Sequence, residues 1–257
     1  MIGDMQKWTP NVAGIIEHAR EIHPKTEVIS RLVSGEIHRT NYEEVCIRSR
    51  KLGSALEKDG VKKGDVVATL ALNTYRHLEM YYGISGMGAI THTLNFRLHP
   101  EQAIYIINHA EDKIIFVELP FVPILEGLQD KLSTVEKYIV LCEQSEMPET
   151  SLKNVISYEE YIKDGDENYD WPELDDDAAC ALCYTSGTTG NPKGVLYSHK
   201  SNVIHAQAAL TAMTIKPDDS ILMVVPLFHV LAWGIPYFGP MNGLKLVMPG
   251  MQMEGEP

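Results

Sequence analysis

Ala178-Ala-Cys-Ala-Leu-Cys-Tyr184 runs directly into Thr185-Ser-Gly-Thr-Thr-Gly-Asn-Pro-Lys-Gly194, and Ser198-His-Lys-Ser-Asn-Val-Ile-His-Ala-Gln-Ala-Ala-Leu-Thr-Ala-Met213 follows. The first piece is an apolar run of strand length. The third places apolar residues at helical spacing. Strand, glycine-rich loop and helix in that order is an arrangement by which α/β folds hold phosphate groups. The loop has the matching chemistry. Gly187, Gly190 and Gly194 let backbone N–H groups turn toward oxygen atoms with no Cβ in the way. Thr185, Ser186, Thr188 and Thr189 add hydroxyl donors, one of which can also ligate a magnesium ion. Lys193 supplies a point charge. A Walker A loop is excluded, because Lys193 is followed by Gly194 rather than Ser or Thr. An ordinary surface turn has the same composition; the apolar flanks favour the phosphate loop.

Working outward, the chain alternates strand and helix patterns. Asn11 to Ile22 reads as an amphipathic helix, with Val12, Ile15, Ile16 and Ala19 on one face. Thr26 to Val33 and Glu36 to Thr40 read as a hairpin about Ser34-Gly35. Asn41 is placed to cap a helix through Leu56, with Glu43 and Glu44 in its first turn. Short apolar runs at 66–71, 89–93, 113–117 and 137–141 are separated by helical patterns at 77–88 and 101–109, the latter opened by Pro100. The fold class is therefore α/β, a parallel sheet flanked by helices. Residues 143–177, rich in Glu, Asp, Pro and Ser, read as an irregular acidic connection. This divides the chain into a first α/β subdomain over 1–142, the connection over 143–177 and the start of a second subdomain over 178–257.

Composition excludes several classes of function. A net charge of −13 argues against a basic nucleic-acid-binding face. A phosphate site on this chain must create positive potential locally. Cys46, Cys142, Cys180 and Cys183 are the four cysteines. Cys180 and Cys183 form a CxxC, but within an apolar strand and with no second ligand pair, so they read as small core hydrophobes. Reduced thiols, and a start with no continuous apolar run, lead to an expectation of the cytoplasm. Ile221 to Met241 is 21 residues without Asp, Glu, Lys or Arg, long enough to cross a bilayer. Pro226, Pro236 and Pro240 break it up, so a buried strand at 221–225, a loop and a short helix are expected, with no transmembrane segment. Within this stretch His229 and Trp233 stand four residues apart; taken alone they read as core residues.

The segment Tyr184 to His199 resembles the signature loop of the adenylate-forming, AMP-binding superfamily. That superfamily comprises acyl-CoA synthetases, peptide-synthetase adenylation domains and firefly luciferase. Val224-Val-Pro-Leu-Phe-His-Val-Leu-Ala-Trp-Gly-Ile-Pro-Tyr237 resembles the superfamily's next motif, which lines the acyl and adenylate pocket. Asn73 to Glu79, His92 to Leu98 and Tyr105 to Asp112 resemble the medium- and long-chain fatty-acyl-CoA synthetase branch, and also 3-methylmercaptopropionyl-CoA ligases. The resemblance extends over essentially the whole chain. It implies ATP, Mg²⁺ and coenzyme A as cofactors, a fatty or other small carboxylic acid as substrate, and no nucleic acid; it leaves a homodimer open. Thr185, Ser186, Gly187, Thr188, Thr189, Gly190 and Lys193 would hold the β- and γ-phosphates, with Thr185 at the magnesium position. His229 would be the catalytic residue near the adenylate carbonyl and phosphate. Trp233 would gate the acyl tunnel. Leu231 departs from the Asn often found between them, which puts the polar lining of the tunnel in doubt. His199 and His205 read as structural. His77, His92 and His109 take no role.

Three further family motifs do not occur in these 257 residues: Tyr-Gly-x-Thr-Glu, Thr-Gly-Asp, and the C-terminal domain with its lysine. The resemblance thus implies an N-terminal fragment, inactive alone. The alternatives are a 3-methylmercaptopropionyl-CoA ligase and a non-catalytic nucleotide-binding remnant. A luciferase-like oxygenase shares the loop, but nothing else in this sequence favours it.

Overall fold

The computed structural model describes residues 4–5, 8–185 and 191–253. Helix α1 (Val12–Ile22) starts where Asn11 stands extended and its side chain accepts the Gly14 N–H. Strands β1 (Glu27–Arg31) and β2 (Ile37–Asn41) pair antiparallel. Helix α2 (Tyr42–Lys58) is capped by Asn41, which accepts the Glu44 N–H, with Glu43 and Glu44 in the first turn facing the positive end of the helix.

A strand–helix alternation follows: β3 (Val66–Leu70), α3 (Tyr75–Gly86), β4 (Ile90–Thr93), α4 (Pro100–Ala110), β5 (Ile114–Val117), α5 (Val122–Leu128) and β6 (Lys137–Val140). The chain continues through β7 (Val155–Ser157), α6 (Tyr158–Ile162), β8 (Ala179–Thr185), β9 (Lys193–Ser198), α7 (His199–Ala212), β10 (Ser220–Leu222), α8 (Ile235–Met241) and β11 (Lys245–Met248).

The strands make two sheets. The larger has the order β7-β6-β5-β3-β4-β8-β9 and the smaller β10-β11-β1-β2. Within the larger sheet every neighbouring pair is parallel except β8 with β9. Side chains alternate as the pleat requires. Ala68 and Leu70 of β3 face Ile106 and Ile107 of α4 and Leu125 of α5. Val67 faces Leu52 of α2 and Met80 and Ile84 of α3. The other side of α3 presents Leu78, Tyr81 and Tyr82 to the small sheet and to α1, α7 and α8. Packed on both sides, α3 is buried at all twelve residues.

Three expectations are corrected. The stretch 143–177 is not an irregular connection throughout, because it supplies β7 to the edge of the large sheet and the short helix α6. The helix expected over 198–213 is present as α7, but β9 stands between it and the glycine-rich loop and folds back on β8 with Thr185 opposite Lys193. The strand expected at 221–225 is shorter, and β10 lies at the exposed edge of the small sheet. Both sheets draw strands from either side of 143–177.

Candidate functional site

The site begins at the tip of the β8–β9 hairpin. Ser186, Gly187, Thr188, Thr189 and Gly190 lie outside the described residues. The two strand ends that frame them are described. Thr185 and Lys193 are direct cross-strand partners and both are exposed. Thr185 sits at the carboxyl end of β8, the edge at which α/β sheets bind ligands. The amino end of α7 is not at that edge, since Ser198 pairs with Ala179 at the far end of the hairpin. Six residues of strand, about 20 Å, separate it from the loop, so the described cation at that end of the hairpin is Lys193 and not a helix dipole.

Residues 228–234 lie beside the same edge. The Thr93 hydroxyl at the end of β4 lies 3.4 Å from the Phe228 carbonyl oxygen and 3.4 Å from the Cys183 sulfur, two residues before Thr185. The Leu231 backbone also reaches the Cys183 thiol, whose pKa burial pushes up. The Phe228 ring meets Phe96 edge-on, with centroids 5.1 Å apart. The strand end at Thr185 and the start of the turn that carries His229 and Trp233, 36 residues from Lys193 to His229, therefore both lie at the carboxyl ends of β4 and β8.

The turn itself has an unusual backbone. Val230, Leu231, Ala232 and Trp233 all have positive φ, at 44°, 50°, 48° and 57°, and Gly234 follows at 79°. A left-handed run of L-residues is strained, each costing roughly 1–2 kcal/mol. It persists here because Leu231 and Ala232 are buried while His229, Val230 and Trp233 point outward. At Gly234 a Cβ would stand 2.5 Å from Nδ1 of His205, so a side chain is excluded by contact as well as by φ. Leu231, which departs from Asn, is a buried apolar contact at a left-handed position rather than part of an exposed lining.

Four histidines outside the candidate site are tied into the fold, His77, His92 and His199 in its interior and His109 at its surface. His77 is fully buried between the Thr69 hydroxyl and the Leu72 carbonyl, each 3.0 Å away, and burial lowers its pKa to about 4. His92 contacts Asp112 at 2.8 Å in a fully buried pair, and burial raises the Asp112 pKa. His109 bonds the Tyr184 hydroxyl at 2.6 Å, tying α4 to β8 one residue before Thr185. His199 accepts the Val12 N–H at 3.3 Å, and burial lowers its pKa to about 4.

Two polar residues that sequence reasoning did not single out also serve this edge. Glu118, at the end of β5, accepts the Leu72 N–H at 3.3 Å and is pushed up to about 7 by burial. Asn73 bonds the backbone of residues 223–227. Asn73 opens a stretch quoted for its resemblance but was given no role, and Glu118 had no local signal; the partners of both are distant in sequence.

The site can be tested against the groups expected there. The Thr185 hydroxyl is exposed, and its contact with the Lys193 carbonyl is long at 3.5 Å, which leaves it able to bind a metal-ion shell or a phosphate. Among the described residues, Asp175, Asp176 and Asp177 are close enough together to share an ion, but they precede β8 at its opposite end, and Lys200 pairs with two of them. A surface hollow of about 520 Å³ between Ile22, His23, Asp218 and Lys245 contains none of the site residues. No helix of the described residues is long and apolar enough to cross a membrane.

Known proteins share this pattern. The sequence profile of the AMP-binding enzyme family matches residues 16–254, and the chain belongs to that family. A medium-chain-fatty-acid–CoA ligase of Ectopseudomonas oleovorans is 45% identical over 99% of this chain and 47% of its own length. A 3-methylmercaptopropionyl-CoA ligase of Ruegeria pomeroyi is 43% identical over 100% of this chain and 48% of its own. The chain thus spans about half the length of these relatives. Among solved structures, the anthranilate CoA ligase AuaEII in complex with anthranoyl-AMP superposes with a TM-score of 0.84 at 23% identity, covering 96% of this chain and 46% of that one. A long-chain-fatty-acid-CoA ligase from Archaeoglobus fulgidus gives 0.82 at 23% identity, covering 98% and 50%. These two share the fold.

Proposed function

We propose that this chain carries the phosphate-binding and acyl-facing part of an acid–CoA ligase. The carboxylate oxygen of an acid attacks the α-phosphorus of ATP. The bond to the β-phosphate bridging oxygen breaks, leaving acyl-adenylate and pyrophosphate. The thiol of coenzyme A then attacks the acyl carbon, the carbonyl–phosphate ester bond breaks, AMP departs and the thiol proton is released. The observation that carries this reading is that the strand end at Thr185 and the start of the His229–Trp233 turn both lie at the carboxyl ends of β4 and β8.

Phosphoryl chemistry of this kind asks a protein mainly for positioning and charge stabilisation. Lys193 supplies positive charge to the departing pyrophosphate, and Ser186, Gly187, Thr188, Thr189 and Gly190 supply hydroxyl and backbone donors. Thr185 would hold Mg²⁺, which neutralises phosphate charge when bound. His229, exposed beside the same edge, donates to the acyl carbonyl or α-phosphate oxygen, and Trp233 borders the path of the acyl chain. A medium-chain fatty acid is the first candidate substrate, supported by the relative at 45% identity. 3-Methylmercaptopropionate is the second, supported by the relative at 43%.

The loop is tested in the longest protein that carries this chain. Lys193→Ala and Thr185→Ala should each lower kcat/KM for acid activation by about 2–4 kcal/mol of transition-state stabilisation. Wild-type kinetics in both variants would return the segment to an ordinary hairpin turn.

A further inference from the structure

The ten residues Asn73 to Tyr82 grip the chain on both sides of the His229–Trp233 turn. Asn73 is 1% exposed. Its Nδ2 donates to the Met223 and Val225 carbonyls, each at 2.8 Å, and its Oδ1 accepts the Leu227 N–H at 2.8 Å. Both amide protons are thereby used. The Tyr81 hydroxyl donates to the Leu227 carbonyl, so Leu227 is fixed at both its N–H and its C=O. His229 is two residues further on. Beyond the turn, the Tyr82 hydroxyl donates to the Pro236 carbonyl.

The gripping element is itself immobilised. Glu79 of α3 bonds Arg48 of α2 at 2.7 Å and receives the Tyr158 hydroxyl at 2.8 Å. Arg76 bonds Glu159 at 2.8 Å and the Leu141 carbonyl at 3.3 Å. A buried asparagine ordinarily satisfies some nearby backbone. Here three side chains from one short stretch close on the two ends of a single excursion, and the left-handed strain inside that excursion has to be held by something outside it.

We propose that Asn73, Tyr81 and Tyr82 are positioning residues. They fix the backbone at Leu227 and Pro236 and so set where His229 and Trp233 stand at the sheet edge. This rests on the ligase reading only for what His229 and Trp233 then do; their placement can be tested without activity.

The chain has three tryptophans, Trp8, Trp171 and Trp233. With 5-fluorotryptophan incorporated, Trp233→Phe assigns the Trp233 fluorine resonance. Tyr81→Phe with Tyr82→Phe keeps the rings and removes only the two hydroxyls; Asn73→Ala removes the third grip. Ile139→Val, in the core on the α2–α3 side of the large sheet, is the control for general destabilisation. The expected result is a displaced, broadened Trp233 resonance in the Tyr and Asn variants, with Trp8 and Trp171 unmoved and the control like wild type. With the same substitutions in the longest protein that carries this chain, kcat for acid activation should fall about tenfold or more while KM for ATP changes less than about twofold, as misplacement of a reacting group predicts. A Trp233 resonance unmoved in the double Phe variant, or moved equally by Ile139→Val, overturns the proposal, even if Asn73→Ala fails to fold. If the longest protein that carries this chain activates no acid, the ligase reading fails and the fluorine spectra of the 257 residues still decide the positioning.

Discussion

Trp233 exposes 61% of its surface, although it lies within a 21-residue stretch that has no acidic or basic side chain. Its neighbours Leu231 and Ala232 take the buried positions instead. A core tryptophan cut to alanine costs roughly 3–5 kcal/mol of stability. Trp233→Ala should cost less than about 1 kcal/mol, the scale of a surface substitution, and should change the chain-length profile of the acids activated. Thermal unfolding and an acid panel, run on the same variant, check both halves; a large stability loss with an unchanged profile rejects a tunnel role. Glu118 supports a pH prediction. Its folded pKa of about 7 lies above the ordinary value of 4.5, so between these values the folded state holds the extra proton. Its contribution to stability is complete below about pH 4.5 and is lost as pH rises through 7. Glu118→Gln keeps an acceptor for the Leu72 N–H and cannot ionise. Its stability relative to wild type should therefore rise from pH 5 to pH 8, read as urea midpoints. A difference that stays constant across that range would show that Glu118 does not titrate in this window.

Among the elements, those with local signals were legible. Asn11 and Asn41 mark helix starts by the cap chemistry they supply, Pro100 opens α4, and Ser34-Gly35 turns the first hairpin. The failures have physical causes. Strand β9, Lys-Gly-Val-Leu-Tyr-Ser, is an exposed edge whose side chains do not alternate between inside and outside, so it has no period-two pattern. Strand β7 is three residues long within an acidic tract and is ordered by pairing with β6. The left-handed run at Val230–Trp233 was invisible, because none of its four residues is the glycine or asparagine such a backbone favours. Val230 is the least suited of them, being β-branched, yet it is 44% exposed and buries little. Val230→Asn should thus raise stability by about 1 kcal/mol. A denaturant midpoint that falls instead would show that the turn does not hold this backbone in solution.

At the scale of the whole molecule, strands distant in sequence complete each sheet. β1 and β2 pair into one sheet with β10 and β11, and β8 and β9 extend another begun by β3 to β7. The parallel α/β class was readable from alternation; this interleaving was not, because register across more than 200 residues leaves no local trace. The acidic tract is drawn in by Arg48 and Arg76, whose guanidinium groups both bond Glu159. For the site, candidate residues could be read from motifs and their placement could not. The loop, His229 and Trp233 were recognised as motifs, while Asn73, Tyr81 and Glu118, which hold or border them, act through contacts far from their own sequence. The net charge of −13 sharpens the proposal, since an ATP site on this chain would have to draw its positive potential from local groups such as Lys193. The most direct test is acid-dependent exchange of labelled pyrophosphate into ATP. The longest protein carrying this chain is assayed beside the 257 residues alone, with a medium-chain fatty acid and with 3-methylmercaptopropionate. The account predicts exchange by the longer protein that requires one of these acids and is lost in Lys193→Ala, and none by the 257 residues, which lack the Tyr-Gly-x-Thr-Glu and Thr-Gly-Asp motifs. Absence of acid-dependent exchange in the longer protein, or exchange indifferent to Lys193, would contradict it.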